Sequence, residues 1–376
     1  MCGIFGIVTR TSDSLDKDSA AQSFDTLHHR GPDQSQSKWF HNDDYSLFVG
    51  TKRLMIVGGE DGVQPILSKN KEWMIQLNGE IYNYQSLRRQ CISMGVTLIN
   101  DSDSAVVVGL LEIMPVPNAI QQLRGMFALS IIHIPSQTIK LYRDRMGVKP
   151  LYWHFNKERS TLIYSSEIRA IKKYVQETLQ INKLAIQNFL VHEYIPAPLT
   201  IYQDVYKLQA GHKLEWKFSK NTSSTECYPR IYTWYNPPEI SSDIFGSLLQ
   251  WEKSLDYALN SATKLRCTSM EIPTALLLSG GIDSALVGHY TQRHIKDLIG
   301  LHVSIEGKYF DEGQIAEKRA QDIGIPLHQI PLRTNQMLAL SQEIFTHLDE
   351  PIADSSIIPT YLIMKELPRM SQLCCG

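Results

Sequence analysis

Apolar residues fall into short runs in the first half of this chain and into longer strand-and-helix alternations in the second. GIFGIV at positions 3–8 is a brief apolar run broken by glycine, which predicts a strand. Residues 16–29 have helical spacing and stop at the Gly31–Pro32 turn. YSLFVG (45–50) and KRLMIV (52–57) read as strands, and MFALSIIHI (126–134) with TIKLYR (138–143) reads as a hairpin. WMIQLNGEIYNYQSLRRQ (73–90) predicts a strand, a tight turn at Asn78–Gly79–Glu80, then a helix. DSDSAVVVGLLEIM (101–114) places Ser and Asp caps before an apolar helix, and TLIYSSEIRAI (161–171) is a strand entering a helix. So many strands with so few helices predict stacked antiparallel sheets, not a doubly wound fold.

The pattern then changes. Residues 188–218, with Pro196, Pro198 and Gly211, predict an extended crossover, and polar, proline-marked stretches follow at 219–228 and 235–243. A first domain over 1–215, a linker over 216–245 and a second domain over 246–376 are expected. Residues 246–264 predict an amphipathic helix. TALLL (274–278) is the continuous apolar run of a buried parallel strand. A Ser-Gly-Gly turn, a helix, a strand over 298–307, and a helix and strand over 309–330 complete a β-α-β-α-β order, hence a parallel sheet.

Composition narrows the setting. The 376 residues suffice for two cores, and 43% hydrophobic with 20% charged residues describes a globular protein. A net charge of −2 argues against broad attraction to nucleic acid or anionic lipid. No apolar run reaches about 18 residues, so no membrane span is expected. The start lacks a basic n-region and a cleavage site, so a cytoplasmic location is expected. Cysteines at 2, 91, 227, 267, 374 and 375 show no repeated spacing, which supports neither a disulfide framework nor a zinc site.

Candidate chemistry starts at Cys2. Loss of Met1 would give it a free α-amine of pKa roughly 7.7–8.0 beside a thiol of about 8.5, a nucleophile and a base on one residue. By itself Cys2 reads more simply as the start of a buried strand. Arg53 sits among apolar residues, either snorkelling or gripping a carboxylate with two hydrogen bonds. Asn78 and Gly79 have the groups of an oxyanion site, though Asn-Gly commonly marks only a turn. Asp103 reads as an N-cap or as the receptor of a substrate ammonium. Arg30 and Asp33 flank the Gly-Pro turn and could pair with each other. Ser279–Gly280–Gly281–Ile282–Asp283–Ser284 lies between a strand and a helix, where backbone N–H groups favour an anion. It lacks the Gly-Lys-Ser/Thr ending of a Walker A loop.

MCGIFGIV, RGPD, RL, NGEIYN, SD, LRGMFA, RDRMGVKPLYW and SSEI, in this order over roughly residues 2–215, resemble the glutaminase domain of the asparagine synthetases. The resemblance implies an N-terminal-nucleophile hydrolase domain of stacked antiparallel sheets between helices. It implies Cys2 as the nucleophile that forms a γ-glutamyl thioester and releases ammonia, with Asn78 and Gly79 holding the oxyanion. Arg53 would bind the α-carboxylate of glutamine, and Asp103 with Glu80 its α-ammonium. Where the family often has Asp-x-Glu, this chain has Asp103–Ser104–Ala105, which implies at most weaker glutamine positioning.

SGGIDS is similar to the pyrophosphate loop of ATP pyrophosphatases, which implies an α/β domain that cleaves ATP between its α- and β-phosphates. Ser279, Gly280, Gly281, Ile282 and Ser284 would cradle the phosphates. Asp283 would hold Mg²⁺, and Leu277 and Ile305 would line the nucleotide. LDEPIADSSIIPTYLIMKEL (348–367) matches the same family, and its Asp349, Glu350 and Asp354 read as caps, ion pairs or groups near an acyl-adenylate. The family continues with a strand, starting here near Ser371, and a second glycine–acid loop, whereas this chain reads LPRMSQLCCG. A shortened synthetase domain, incomplete at its C-terminus, with weak or no amide synthesis is therefore expected.

The resemblance as a whole implies glutamine-dependent conversion of aspartate to asparagine through β-aspartyl-AMP. The substrates would be glutamine, aspartate and ATP, with Mg²⁺, and a homodimer is compatible with it. Two other readings stay open at this point. One is an amidotransferase for another carboxylate acceptor, and the other is a protein retaining only glutaminase activity.

Overall fold

A computed structural model describes residues 2–10, 15–175, 179–220, 228–239, 246–267, 274–305, 312–367 and 373–375. Residues 221–227 and 240–245 of the expected linker, and Ser371, lie outside them. The chain divides into two compact units, Met1–Glu239 with Asp349–Ile352, and Ile240–Leu348 with Ala353–Gly376.

The first unit stacks two six-stranded sheets. One contains β1 (Gly3–Thr9), β2 (Gln34–His41), β3 (Ser46–Arg53), β8 (Tyr152–Asn156), β9 (Thr161–Ser165) and β10 (Val205–Lys207), in the order β10-β8-β9-β1-β3-β2. The other contains β4 (Ile66–Leu67), β5 (Trp73–Ile81), β6 (Gly125–His133), β7 (Thr138–Arg143), β11 (His212–Lys217) and β12 (Arg230–Thr233), in the order β12-β11-β7-β6-β5-β4. Every pairing is antiparallel. The helices are α1 (Lys17–Asp25), α2 (Tyr84–Ser93), α3 (Asp103–Ile113), α4 (Val116–Gln122), α5 (Ile168–Val175) and α6 (Lys183–His192).

Alternation along each strand supplies both faces. Ile4, Val8, Leu47 and Val49 meet Met74, Ala128, Leu141 and Trp216 between the sheets. Phe5, Ile7 and Phe48 point outward onto Phe24 of α1 and Ile168 and Ile171 of α5. Ile75, Leu77 and Leu129 pack against Leu87, Val106, Leu110 and Ile120 of α2–α4. Stacked antiparallel sheets between helices, as expected from the strand-rich pattern, are what forms.

Three local expectations need correction. KRLMIV is not a second strand: β3 runs unbroken from Ser46 to Arg53 and stops there. Asn78–Gly79–Glu80 is no turn, because β5 passes straight through it, pairing Asn78 with Ala128 and Gly79 with Phe127. The glycine serves close approach instead: a Cβ on Gly79 would lie 2.0 Å from Met126 O. The expected linker also starts too early, since β11 extends to Lys217, β12 forms at Arg230–Thr233, and the unit reaches Glu239. Trp216 and Phe218 are almost fully buried in the core between the sheets, which draws this stretch into the first unit. Residues 349–352 cluster there too, with Asp349 paired to Arg169 at 2.9 Å and Glu350 to Lys207 at 2.7 Å.

The second unit is a parallel sheet in the order β15-β14-β13-β16, from β13 (Thr274–Leu277), β14 (Ile299–Ile305), β15 (Leu327–Leu332) and β16 (Leu373–Cys375). With α7 (Leu248–Cys267), α8 (Ile282–Gln292), α9 (Gly313–Ile323), α10 (Thr334–His347) and α11 (Ile357–Glu366), it realises the expected β-α-β-α-β order. Ala275, Leu301 and Ile330 pack on Ile363 of α11, while Leu276 and Leu278 pack with Ala320 of α9. β16, paired with β13, stands where a strand was expected to start near Ser371.

Trp216→Ala is expected to destabilise the first unit by about 3–5 kcal/mol, the cost of an unfilled aromatic site in a core. Its urea midpoint, compared with that of the unsubstituted protein, measures this.

Candidate active site

Cys2 stands one residue before β1, a strand paired on both sides with β3 and β9 and buried along its whole length. The thiol is therefore interior, and its Sγ–H donates to Leu54 O at 3.8 Å. Burial pushes the thiol pKa up; the bond to Leu54 and the Arg53 charge act downward, and the Asp103 charge upward. The backbone beside it is fixed by the RGPD stretch. Arg30 Nε donates to Cys2 O at 3.0 Å while its Nη1 pairs with Glu167 at 2.9 Å. Asp33 accepts Met55 N–H at 2.8 Å, holding the segment that carries Leu54. Arg30 and Asp33 thus brace two sides of the cysteine rather than pairing with each other.

Arg53 ends β3 and is 4% exposed. Its Nη1 donates to Gln34 Oε1 and to Gly59 O, both at 2.7 Å, and its Nη2 to Val57 O at 2.6 Å. A guanidinium has five N–H groups, so these bonds leave two for a carboxylate. Asp103 is the first residue of α3, not its cap. Ser102 caps the helix by accepting Ala105 N–H at 3.1 Å. The Asp103 carboxylate turns back to accept Ile81 N–H at 3.0 Å and Ser104 N–H at 2.8 Å. Burial raises its pKa to about 6 against those two bonds, with Glu80 adding to the rise and Arg53 opposing it. Cys2, Arg53, Asp103 and Glu80 thus act on one another as a single buried cluster. At the position where the resemblance would put a second acid, this chain has the buried Ala105.

β5 supplies the neutral groups. Gln76, Asn78 and Glu80 share its inward face, and Gln76 Nε2 bonds to Phe5 O at 3.1 Å and Gly50 O at 2.7 Å. Asn78 is fully buried; its Nδ2 reaches Ser166 Oγ at only 3.4 Å, and its Oδ1 has no partner. Leu77 N–H and Ile81 N–H both point away from β6, to Gln64 Oε1 at 2.6 Å and to Asp103. Between them Gly79 N–H has the same direction by the period of two, because Phe127, its register partner, exchanges its own hydrogen bonds with Asp144. Among the described residues nothing accepts it. A free N–H beside a weakly held amide is the donor set an oxyanion needs.

The sequence reading named Cys2, Arg53, Asn78, Gly79, Glu80 and Asp103. It missed Gln34, because β2 is an edge strand with no apolar alternation. It also missed Lys149, buried within electrostatic reach of Cys2 and Glu80, whose pKa is lowered by burial and by Arg30.

In the second unit, Ser279–Gly281 links β13 to α8. Ser284 Oγ accepts Ser279 N–H at 3.2 Å and lies 3.0 Å from Ser279 Oγ, which accepts Gly281 N–H at 3.2 Å. The two hydroxyls hold the loop from both ends. Gly280 N–H donates to the Glu312 carboxylate at 3.2 Å, so the loop already receives an anionic oxygen, as a phosphate site must. Asp283 is exposed in the first turn of α8, and Ile282 is 71% exposed. Leu277 and Ile305 are half-buried on one face of the sheet, with Leu301 and Val303. Among the described residues no three His, Cys, Asp or Glu side chains gather as a metal cluster. None of the described helices is long and apolar enough to cross a membrane.

A cysteine leading the central strand of such a sandwich, with a carboxylate–guanidinium cluster around it, defines an amidotransferase-type site, and residues 1–229 match the glutamine amidotransferase domain model. Residues 254–373 match the asparagine synthase model, and the chain belongs to the glutamine-hydrolysing asparagine synthetase family. It is 26% identical to asparagine synthetase [glutamine-hydrolyzing] 1 of Bacillus subtilis over 97% of this chain and 56% of that protein. With a putative asparagine synthetase [glutamine-hydrolyzing] 2 of Methanocaldococcus jannaschii it shares 29% identity, over 96% of this chain and 71% of the relative. A putative asparagine synthetase of Mycobacterium bovis is 26% identical over 97% and 57%, respectively. The chain thus spans between about half and seven tenths of the length of these relatives.

Because the folded Asp103 carboxyl keeps its proton to about pH 6 against 3.8 as the ordinary value, it costs stability as the pH rises through that interval. Asp103→Asn is expected to remove this part of the slope. Urea unfolding of both proteins between pH 4 and 7 measures the difference.

Proposed function

We propose that the first unit hydrolyses glutamine at Cys2 and that the second uses the ammonia to convert aspartate to asparagine with ATP. The observation that carries the first half is the buried cluster of Cys2, Arg53, Asp103 and Glu80 beside the unaccepted Gly79 N–H. A glutamine molecule offers complementary groups: a carboxylate for the two remaining Arg53 donors, an ammonium for Asp103 and Glu80, and an amide for the thiol.

Burial keeps the thiol protonated at neutral pH, so a base is required. Once Met1 is removed, the Cys2 α-amine serves, taking the thiol proton as sulfur attacks the side-chain amide carbon. The oxygen of that carbon becomes negative and is received by Gly79 N–H and the Asn78 amide, whose bond to Ser166 is long enough to be given up. The proton passes to the leaving nitrogen, ammonia departs, and water cleaves the γ-glutamyl thioester to glutamate. Asp103 must be charged to hold the ammonium, so glutamine binding strengthens as the pH rises through about 6.

In the second unit the loop N–H groups and the Ser279 and Ser284 hydroxyls would hold the phosphates, Leu277 and Ile305 would line the nucleotide, and Asp283 would hold Mg²⁺. ATP supplies the activation of the aspartate β-carboxylate, leaving AMP and pyrophosphate. The glycines suit this role because their N–H groups are bare of side chains, and Gly280 N–H already bonds to a carboxylate.

Cys2→Ala is expected to abolish glutamate release from glutamine; persistence of that activity in pure variant protein would remove the nucleophile assignment. Asp283→Asn is expected to suppress pyrophosphate release from ATP with aspartate and ammonium while leaving glutamine hydrolysis intact. Running the same assay over other carboxylate acceptors identifies the acceptor.

A further inference from the structure

β2 carries no apolar pattern, yet it sets one polar side chain against a buried cation of the site. Gln34 and Arg53 are register partners across β2 and β3. Gln34 uses both ends of its amide: Oε1 accepts from Arg53 Nη1 at 2.7 Å, and Nε2 donates to Glu60 O at 2.8 Å. Glu60 belongs to the loop that supplies the other two Arg53 acceptors, Val57 O and Gly59 O. That loop is closed by Gly62 N–H on Gly58 O at 3.1 Å. It leaves no room at Gly62, where a Cβ would stand 2.2 Å from Arg53 Nη2.

One amide therefore ties the guanidinium to the loop that frames it. A planar fork binds a carboxylate well only when its plane is fixed. The loop alone offers two carbonyls to the guanidinium, and Gln34 is the side chain that locks both partners together. Leucine at this position would fill the space with neither bond. Glutamate would keep the acceptor for Arg53 and lose the donor to Glu60 O.

We propose that Gln34 is a positioning residue that fixes Arg53 for the α-carboxylate of glutamine, an assignment that rests on the glutaminase reading above. A carboxylate contact is the same in the ground and transition states, so its loss weakens binding and leaves the chemical step alone. Gln34 is thereby a substrate-affinity determinant that lies outside the cysteine cluster.

A diazoketone analogue of glutamine, which carries the same α-carboxylate and alkylates an active-site thiol, tests this on the full chain. Iodoacetamide, which has no carboxylate, is the control, and mass spectrometry locates the adduct at Cys2. Gln34→Leu is expected to raise the analogue's KI by about tenfold or more, the loss of one charge-assisted hydrogen bond. The maximal alkylation rate, the iodoacetamide rate and Tm are expected to stay as they are. Gln34→Glu is expected to recover most of the lost affinity. An unchanged KI in Gln34→Leu overturns the proposal and leaves the glutaminase reading standing. A parallel fall in iodoacetamide rate or Tm also overturns it, because the role is then support of the fold. If the unsubstituted protein reacts with iodoacetamide but not with the analogue, the glutaminase reading itself falls.

Discussion

The first unit depends on one constraint: β1 is held between two antiparallel neighbours and buried on both faces, so the residue before it has no freedom to leave the interior. Cys2 is that residue. A thiol on a fraying terminus would be wet and mobile; here its carbonyl is fixed by Arg30 and its sulfur by Leu54. The same strand sets the register of β3, and so decides that Arg53 ends next to the cysteine.

Burial gives the cluster its chemistry. It raises the thiol above its ordinary range, so the sulfur keeps its proton at neutral pH, and it raises Asp103 to about 6, so that carboxyl ionises only as the pH passes that value. Opposite charge at Arg53 and like charge at Glu80 then act strongly, because little water intervenes. A ligand with one carboxylate and one ammonium matches the charges that Arg53, Asp103 and Glu80 present. The neutral part is built separately, from a straight strand whose glycine N–H faces away from its partner.

Much of the site was legible because its residues carry recognisable chemistry within short motifs. Cys2, Arg53, Asn78, Gly79, Glu80 and Asp103 could each be named from local sequence and resemblance. Their local structures were read less well. Asn-Gly looked like a turn, but it lies within a nine-residue strand where glycine permits contact with Met126. Arg30 and Asp33 looked like partners, but tertiary contacts draw one to Cys2 O and the other to Met55. Gln34 left no signal, since β2 is an edge strand whose residues are half-buried or exposed and which shows no hydrophobic alternation.

By itself the sequence determined the two-part organisation, the antiparallel and parallel character of the sheets and the candidate nucleophile. These follow from strand patterning, element order and motif chemistry, all local along the chain. Only the tertiary structure decided where the first unit stops, since that depends on Trp216 and Phe218 finding a core formed by distant strands. It alone decided the protonation of Asp103 and Cys2 and the clamp on Arg53. Desolvation and cross-strand register arise between residues far apart in sequence, and no local pattern encodes them.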